Sequence, residues 1–153
     1  MFDKNGREIK TGDVVRISNA YFKNDNHLYY VDHVPGDPNW CGSDICLKKI
    51  SKAGKISTAK YNICFWPIKA YVSDPWKCAE ANEWNKENAE IELVEGVNNK
   101  EIVALFKEEA DGFDEMYKRE VLYYGETKEA ERLKRYAAGR YSAAERISAE
   151  RSA

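Results

Sequence analysis

The feature that most constrains the fold is a change in sequence pattern near residue 73. Before it, short runs of β-branched and aromatic residues are separated by Gly, Pro, Asn and Asp, which is typical of strands joined by tight turns. After Val94, charged and alanine-rich sequence carries apolar residues at helical spacing. The chain therefore predicts an α+β protein: a β domain over residues 1–96 and a helical extension over 97–153.

The front part predicts a small β domain with one helix inserted before its last strand. Runs of strand length cover residues 14–18, 28–34, 44–50, 56–59, 61–66, 68–72 and 90–94. Ser73-Asp74-Pro75 predicts a helix start, because Ser or Asp caps free N–H groups and Pro is tolerated in the first turn. We expect this helix to run from Pro75 to about Ala89. Short strands linked by turns favour an antiparallel barrel.

The tail predicts a hairpin of two helices. An apolar stripe at steps of three and four residues comprises Ile102, Phe106, Ala110, Phe113, Tyr117, Val121 and Tyr124. Gly125 ends this stripe, and a second helix is expected from about Thr127, with an interruption or bend near Gly139. Phe106, Phe113 and Tyr117 have two interpretations. They pack within the chain, or they form the interface of a homodimer.

Charge and composition limit the class of protein. Residues 76–120 contain 6 cationic and 13 anionic side chains, and this acidic segment argues against a dedicated nucleic-acid binder. The N-terminal segment has no apolar signal-peptide core, and no apolar run is long enough to span a bilayer, so a cytoplasmic location without membrane association is expected.

The four cysteines offer a metal site as an alternative to ordinary thiols. Cys41, Cys46, Cys64 and Cys78 lack the C-x2-C spacing that usually closes a structural zinc site. We therefore expect reduced thiols and neither a metal nor another cofactor.

The segment Gly12-Asp13-Val14-Val15-Arg16-Ile17, followed by a polar loop and an aromatic strand, resembles the opening of SH3-like barrels of the KOW and Tudor type. This resemblance implies a binding fold rather than a catalytic one. The whole chain also resembles the small proteins carried by bacterial phages and integrative elements. That likeness implies an accessory role, such as inhibition of a host defence protein in the manner of an anti-CRISPR.

Aromatic loops supply the expected site for a protein partner. The segment from Pro35 to Asp44 contains Asp37 and Trp40, and we expect Trp40 to enter a partner pocket while Asp37 and Asp44 accept hydrogen bonds. In the alternative, Trp40 folds back over the end of the barrel and Asp37 caps its own turn. Two aromatic residues of the first long loop, Tyr21 and Phe22, complete the predicted partner-binding set.

The rival hypothesis is a nucleic-acid or nucleotide site. Aromatic rings that stack on bases, with cations nearby, would provide it. The candidates are Arg16, Lys23, Tyr29, Lys48 and Lys49. Strand alternation places Tyr29 and Tyr30 on opposite faces, so we expect one of them in the core.

Catalysis has little support in the sequence. His33 with Cys41 or Cys46 could form a nucleophilic pair, but no nucleophile elbow, metalloprotease motif or phosphate-binding loop accompanies them. We expect a protein without enzymatic activity. Trp76 and Trp84 lie near one face of the predicted helix, with Glu80 between them, and we expect them to pack in the core.

Overall fold

A computed structural model describes residues 2–37, 45–50, 63–66, 75–95 and 99–152. The strands are β1 (Val14–Ser18), β2 (Leu28–His33), β3 (Ile45–Lys49), β4 (Ile63–Trp66) and β5 (Glu90–Leu93). The α-helices are α1 (Pro75–Asn88), α2 (Lys100–Tyr124) and α3 (Lys128–Ser152), and a short 3-10 helix covers Lys23–Asp25. The predicted strands at 56–59 and 68–72 lie outside the described residues.

The five strands form one antiparallel sheet in the order β4-β3-β2-β1-β5. The first four strands form a meander, and β5 returns after α1 to pair with β1. The α+β class, the inserted helix and the returning last strand are therefore confirmed. Because β4 and β5 are the edges of the sheet in the described part of the chain, the sheet is open there.

The chain divides into two compact units. The sheet unit contains β1–β5 and α1, and the helical unit contains α2 and α3. No helix in the described ranges is both long enough and apolar enough to cross a membrane.

One face of the sheet carries the main apolar core. Cross-strand neighbours on this face include Val15 opposite Tyr29 and Val31 opposite Leu47. Antiparallel neighbours of this kind stabilise a sheet because their side chains contact each other directly. The buried cluster consists of Ile9, Val15, Ile17, Ala20, Tyr29, Val31, Ile45, Leu47 and Ile91.

The opposite face is also excluded from solvent near the centre of the sheet. Tyr30 and Cys46 belong to this face and are buried, as are Tyr29 and Ile45 on the first face. Tyr29 belongs to the core cluster, as expected for one of the two tyrosines, and Tyr30 on the opposite face is buried as well. Alternation assigns residues to faces, but it does not reveal whether the second face is covered.

The carboxylate of Asp3 joins the N-terminal turn to β5. One oxygen accepts hydrogen bonds from the backbone N–H groups of Asn5 (3.0 Å) and Arg7 (2.8 Å), and the other accepts from the Leu93 N–H (2.9 Å). The Leu93 hydrogen bond, which outweighs the opposing effect of burial, holds the pKa of the Asp3 carboxyl below its usual value. The ionised carboxylate is thus preferred in the folded state.

We predict that Asp3→Asn lowers the midpoint of thermal unfolding at neutral pH, because an amide replaces one of the two accepting oxygens. Since the pKa is lowered on folding, the carboxylate stabilises fully above the usual aspartate pKa, and this stabilisation disappears as pH falls through the lowered value. The difference in melting midpoint between wild type and Asp3→Asn should therefore become smaller as the solution is made acidic. Glu95→Gln is the control, because Glu95 is exposed and contacts the same Arg7. An equal effect of both substitutions on thermal melts would contradict this role of Asp3.

The helical unit is an antiparallel hairpin, and the helical pair predicted from the sequence is confirmed. Gly125 ends α2 with a φ of 78°, a conformation that favours glycine, and its N–H donates to the Val121 carbonyl. Of the interruption or bend expected near Gly139, the interruption is wrong, because α3 continues through this residue without a break, and the bend stays a prediction. A glycine inside a helix costs only about 1 kcal/mol relative to alanine, which packing of the apolar face can offset.

A buried arginine lies between the two helices of the hairpin. The Nε atom of Arg140 is 2.9 Å from a carboxylate oxygen of Glu109, and its guanidinium lies 4.5 Å from the centre of the Phe106 ring. Arg140 and Phe106 are both buried. The ion pair neutralises a charge that would otherwise be costly in the interior.

We predict that Glu109→Ala lowers the free energy of unfolding by roughly 3 kcal/mol, because it leaves the Arg140 charge buried without this partner. Glu108→Ala is the matched control, since Glu108 is the neighbouring exposed carboxylate on α2. Urea denaturation monitored by circular dichroism measures both. If the two variants were equally stable, the pair would have no structural importance.

Candidate functional site

The loop between β1 and β2 is held in a defined conformation by its own hydrogen bonds. Asn19 adopts a left-handed backbone conformation (φ 57°), which asparagine tolerates better than most residues. The Ala20 N–H then donates to the side-chain oxygen of Asn26 at 2.8 Å. From the core, the Tyr29 hydroxyl donates to the Asp25 carbonyl at 2.7 Å. The loop is thus an ordered platform.

Helix α1 fixes this loop through three further hydrogen bonds. The buried side chain of Asn85 accepts from the Tyr21 N–H at 2.9 Å. The Trp84 indole N–H donates to the Asn19 carbonyl at 3.0 Å, and the Tyr21 hydroxyl donates to Glu80 at 3.1 Å. Glu80 and Trp84 are one helical turn apart, so both reach the same side of α1.

These contacts produce an exposed aromatic patch, which we define as Tyr21, Phe22 and Trp84. Trp84 is 47% exposed and Tyr21 is 38% exposed, whereas Phe22 is half-buried. The Tyr21 and Phe22 rings pack edge to face with their centres 4.9 Å apart. The polar atoms of Trp84 and Tyr21 make hydrogen bonds within the protein while parts of their rings remain in contact with water. The arrangement presents apolar surface in a fixed geometry.

Three exposed glutamates lie near Trp84 on α1, and we call Glu80, Glu83 and Glu87 the acidic rim. Glu80 and Glu87 are four residues before and three residues after Trp84, so they flank it on the helix surface. Among the described residues, no cation forms an ion pair with any of the three. The hydrogen bond to Glu80, reinforced by its charge, raises the pKa of the Tyr21 hydroxyl. The patch therefore lies in a negative environment.

The structure describes three of the five residues predicted to bind a partner. Tyr21 and Phe22 belong to the aromatic patch. Asp37 follows the turn at Pro35 and Gly36 and is half-buried. Trp40 and Asp44 lie outside the described residues, so their predicted contact with a partner stays a prediction.

The residues proposed for nucleic-acid contact do not form one exposed surface of stacked rings and cations. The ring of Tyr29 is fully buried in the core and has no accessible face for stacking. Lys48 contacts Asp32 at 3.5 Å, and the Lys49 amine donates to the Asn24 carbonyl at 3.1 Å. Arg16 and Lys23 are exposed. Burial of its aromatic member weakens this set as a base-binding platform.

A second polar cluster lies at an irregularity in β2. The pairing between β2 and β3 shifts between Val31 and His33, and His33 is opposite Cys46. The Asp32 carboxylate is 3.5 Å from both the His33 Nε2 atom and the Lys48 amine. The structure thus brings His33 and Cys46 into register, as the sequence hypothesis of a nucleophilic pair requires. The closest charged contacts in this cluster, however, are made by Asp32.

Metal binding has no support within the ranges that the structure describes. No group of three or more His, Cys, Asp or Glu side chains in these ranges is arranged to hold an ion. Cys46 is buried and carries a thiol rather than a disulfide. Cys41 lies outside the described residues, as do the side chains of Cys64 and Cys78.

The residues predicted for self-association contact α3 of the same chain. Phe106 is buried beside Arg140, and the Phe113 ring packs edge to face on Tyr136 at 5.4 Å. The Lys134 amine of α3 lies 5.8 Å from the centre of the Tyr117 ring, and the Tyr117 hydroxyl donates to Glu126 in the turn before α3 at 2.6 Å. These contacts agree with the interpretation that the apolar stripe packs within the chain. The homodimer stays a prediction.

Sequence reasoning missed Trp84 as a site residue because it assigned this side chain to the core. The composition of α1 contained the relevant signal. In the segment 79–88, Trp84 is surrounded by Glu80, Glu83, Lys86 and Glu87, and the only other apolar residues are alanines. The polar composition of the segment around Trp84 is more informative than the spacing of Trp84 from Trp76.

Comparisons of the chain with protein-family models, with curated proteins and with solved structures found no match.

Proposed function

We propose that this chain is a non-enzymatic protein-binding module whose binding surface is the aromatic patch. The observation that supports it is the set of hydrogen bonds that fixes exposed Tyr21 and Trp84 before any partner arrives. Aromatic residues carry a large share of the energy in protein interfaces. An ordered side chain also loses less conformational freedom on binding, which favours affinity.

Charge supports a protein partner over a nucleic acid. The acidic rim lies beside the most exposed ring of the patch on the same helix, and carboxylates at this position repel a phosphate backbone. Nothing in the described geometry compensates with an exposed cluster of cations on the same side of α1. A nucleic-acid partner is therefore an outcome that the experiment below should exclude.

The proposal also includes the fold type and the biological setting. The return of β5 to the free edge of β1 supports a small SH3-like barrel, since sheet twist brings the edges of such a meander toward each other. The resemblance to small phage and mobile-element proteins supports a cytoplasmic inhibitor of a host defence protein, comparable to an anti-CRISPR. Under this proposal the aromatic patch is the inhibitory surface.

We predict that Trp84→Ala reduces partner capture by at least about tenfold, because truncation of a central aromatic residue commonly costs 2 kcal/mol or more in binding. Stability should fall by only about 1 kcal/mol, since the substitution removes one hydrogen bond and a half-exposed ring. The measurement is quantitative mass spectrometry of proteins captured from nuclease-treated bacterial lysate. Thermal melts of the wild type and of Trp84→Ala measure the change in stability.

The matched control is Tyr123→Ala, because Tyr123 is an aromatic residue that is 70% exposed on α2. A protein that wild type and Tyr123→Ala capture and Trp84→Ala loses would support the proposal. Equal capture by all three would contradict it. Retention on immobilised DNA with a steep salt dependence would favour the nucleic-acid alternative instead.

A further inference from the structure

We infer that the aromatic patch recognises an arginine side chain of the partner protein, with the guanidinium on the Trp84 ring and its N–H groups directed at the acidic rim. This inference rests on the proposed protein-binding function and specifies the chemistry of the partner. It depends on the position of Trp84 among Glu80, Glu83 and Glu87 and on the exposure of all four side chains.

The acidic rim is complementary in charge to an arginine side chain. The three carboxylates of the rim lie within eight residues on one helix, and none forms an ion pair with a cation of the described chain. Lys86 is three residues after Glu83 and is its neighbour on the helix surface, but it forms no ion pair with the rim. Lys23 is exposed on the loop next to Phe22 and forms no ion pair with the rim. A cationic partner side chain would neutralise this local excess of negative charge.

The Trp84 ring and the carboxylates of the acidic rim can contact one guanidinium together. A guanidinium stacks on an aromatic face and donates several hydrogen bonds in its own plane at the same time. The tryptophan ring gives the strongest interaction of this kind among the aromatic side chains. Glu80 is already oriented by the Tyr21 hydroxyl, so one acceptor is positioned beside the ring.

At two other places in this protein, an aromatic ring and a carboxylate together contact an arginine side chain. In the helical unit, Arg140 contacts both the Phe106 ring and the Glu109 carboxylate. Arg132 is likewise 5.5 Å from the centre of the Tyr136 ring and bonds to Glu129. On α1, the ring and the carboxylates are present, and the described part of the chain supplies no cation to them. The geometry therefore fits a cation from another molecule.

The test uses the full chain, labelled with nitrogen-15, and a small probe. N-acetyl-arginine amide is added while the Trp84 indole resonance is followed by NMR, and binding in the range of about 1–50 mM is expected for so small a ligand. N-acetyl-citrulline amide is the uncharged probe of nearly the same shape. Inorganic phosphate tests the opposite charge.

We expect a saturable shift of the Trp84 indole resonance with the arginine probe only. The triple variant Glu80→Gln, Glu83→Gln, Glu87→Gln should weaken binding at least fivefold, since glutamine keeps the size and the accepting oxygen but removes the charge. The control is Glu108→Gln with Glu115→Gln, two exposed carboxylates on α2. It should bind as wild type does.

Three results would overturn the inference: no shift with arginine, equal shifts with arginine and citrulline, or equal binding by wild type and the triple variant. A shift with phosphate alone would also overturn it. None of these results affects the capture experiment with Trp84→Ala. If Trp84→Ala loses its partner while the triple variant retains it, the protein-binding function stands and only the arginine assignment fails.

Discussion

The hydrogen bond from the Tyr21 N–H to the buried Asn85 side chain is the contact on which the functional surface depends. It joins the first loop to α1 across 64 residues of sequence, and two other bonds between the same loop and helix position Tyr21 and Trp84. A buried amide without this partner would be costly, so loop and helix stabilise each other. The ordered patch is a consequence of this local packing.

The two compact units contribute differently to this arrangement. In the sheet unit, the core cluster fixes β1 and β2, and these strands determine where the loop begins and ends. Asp3 adds a polar connection between the N-terminal turn and β5, the strand that directly follows α1. In the helical unit, the aromatic residues Phe106, Phe113 and Tyr117 of the predicted stripe contact side chains of α3. Leu122, Tyr123 and Tyr124 remain exposed at the end of α2.

The sequence predicted most of the described elements because their signals are local. Alternation and turn residues located β1, β2 and β3, and helical spacing located α2 to within a few residues. The contacts that build the patch could not be predicted this way, since Asn85 and Tyr21 are far apart in sequence and neither has a distinctive motif. The burial of Arg140 could not be predicted from the sequence for a related reason. A charged residue is expected on the surface unless its partner on another helix is known.

Trp84 is fixed by its indole N–H while its ring remains accessible to solvent. The most direct test is NMR of the unbound chain with labelled tryptophan, with Trp84 assigned from a Trp84→Phe spectrum and a soluble nitroxide added. We expect slow hydrogen exchange of the Trp84 indole N–H together with strong broadening of its ring protons. Fast exchange of the N–H, or a ring that the nitroxide does not broaden, would contradict it.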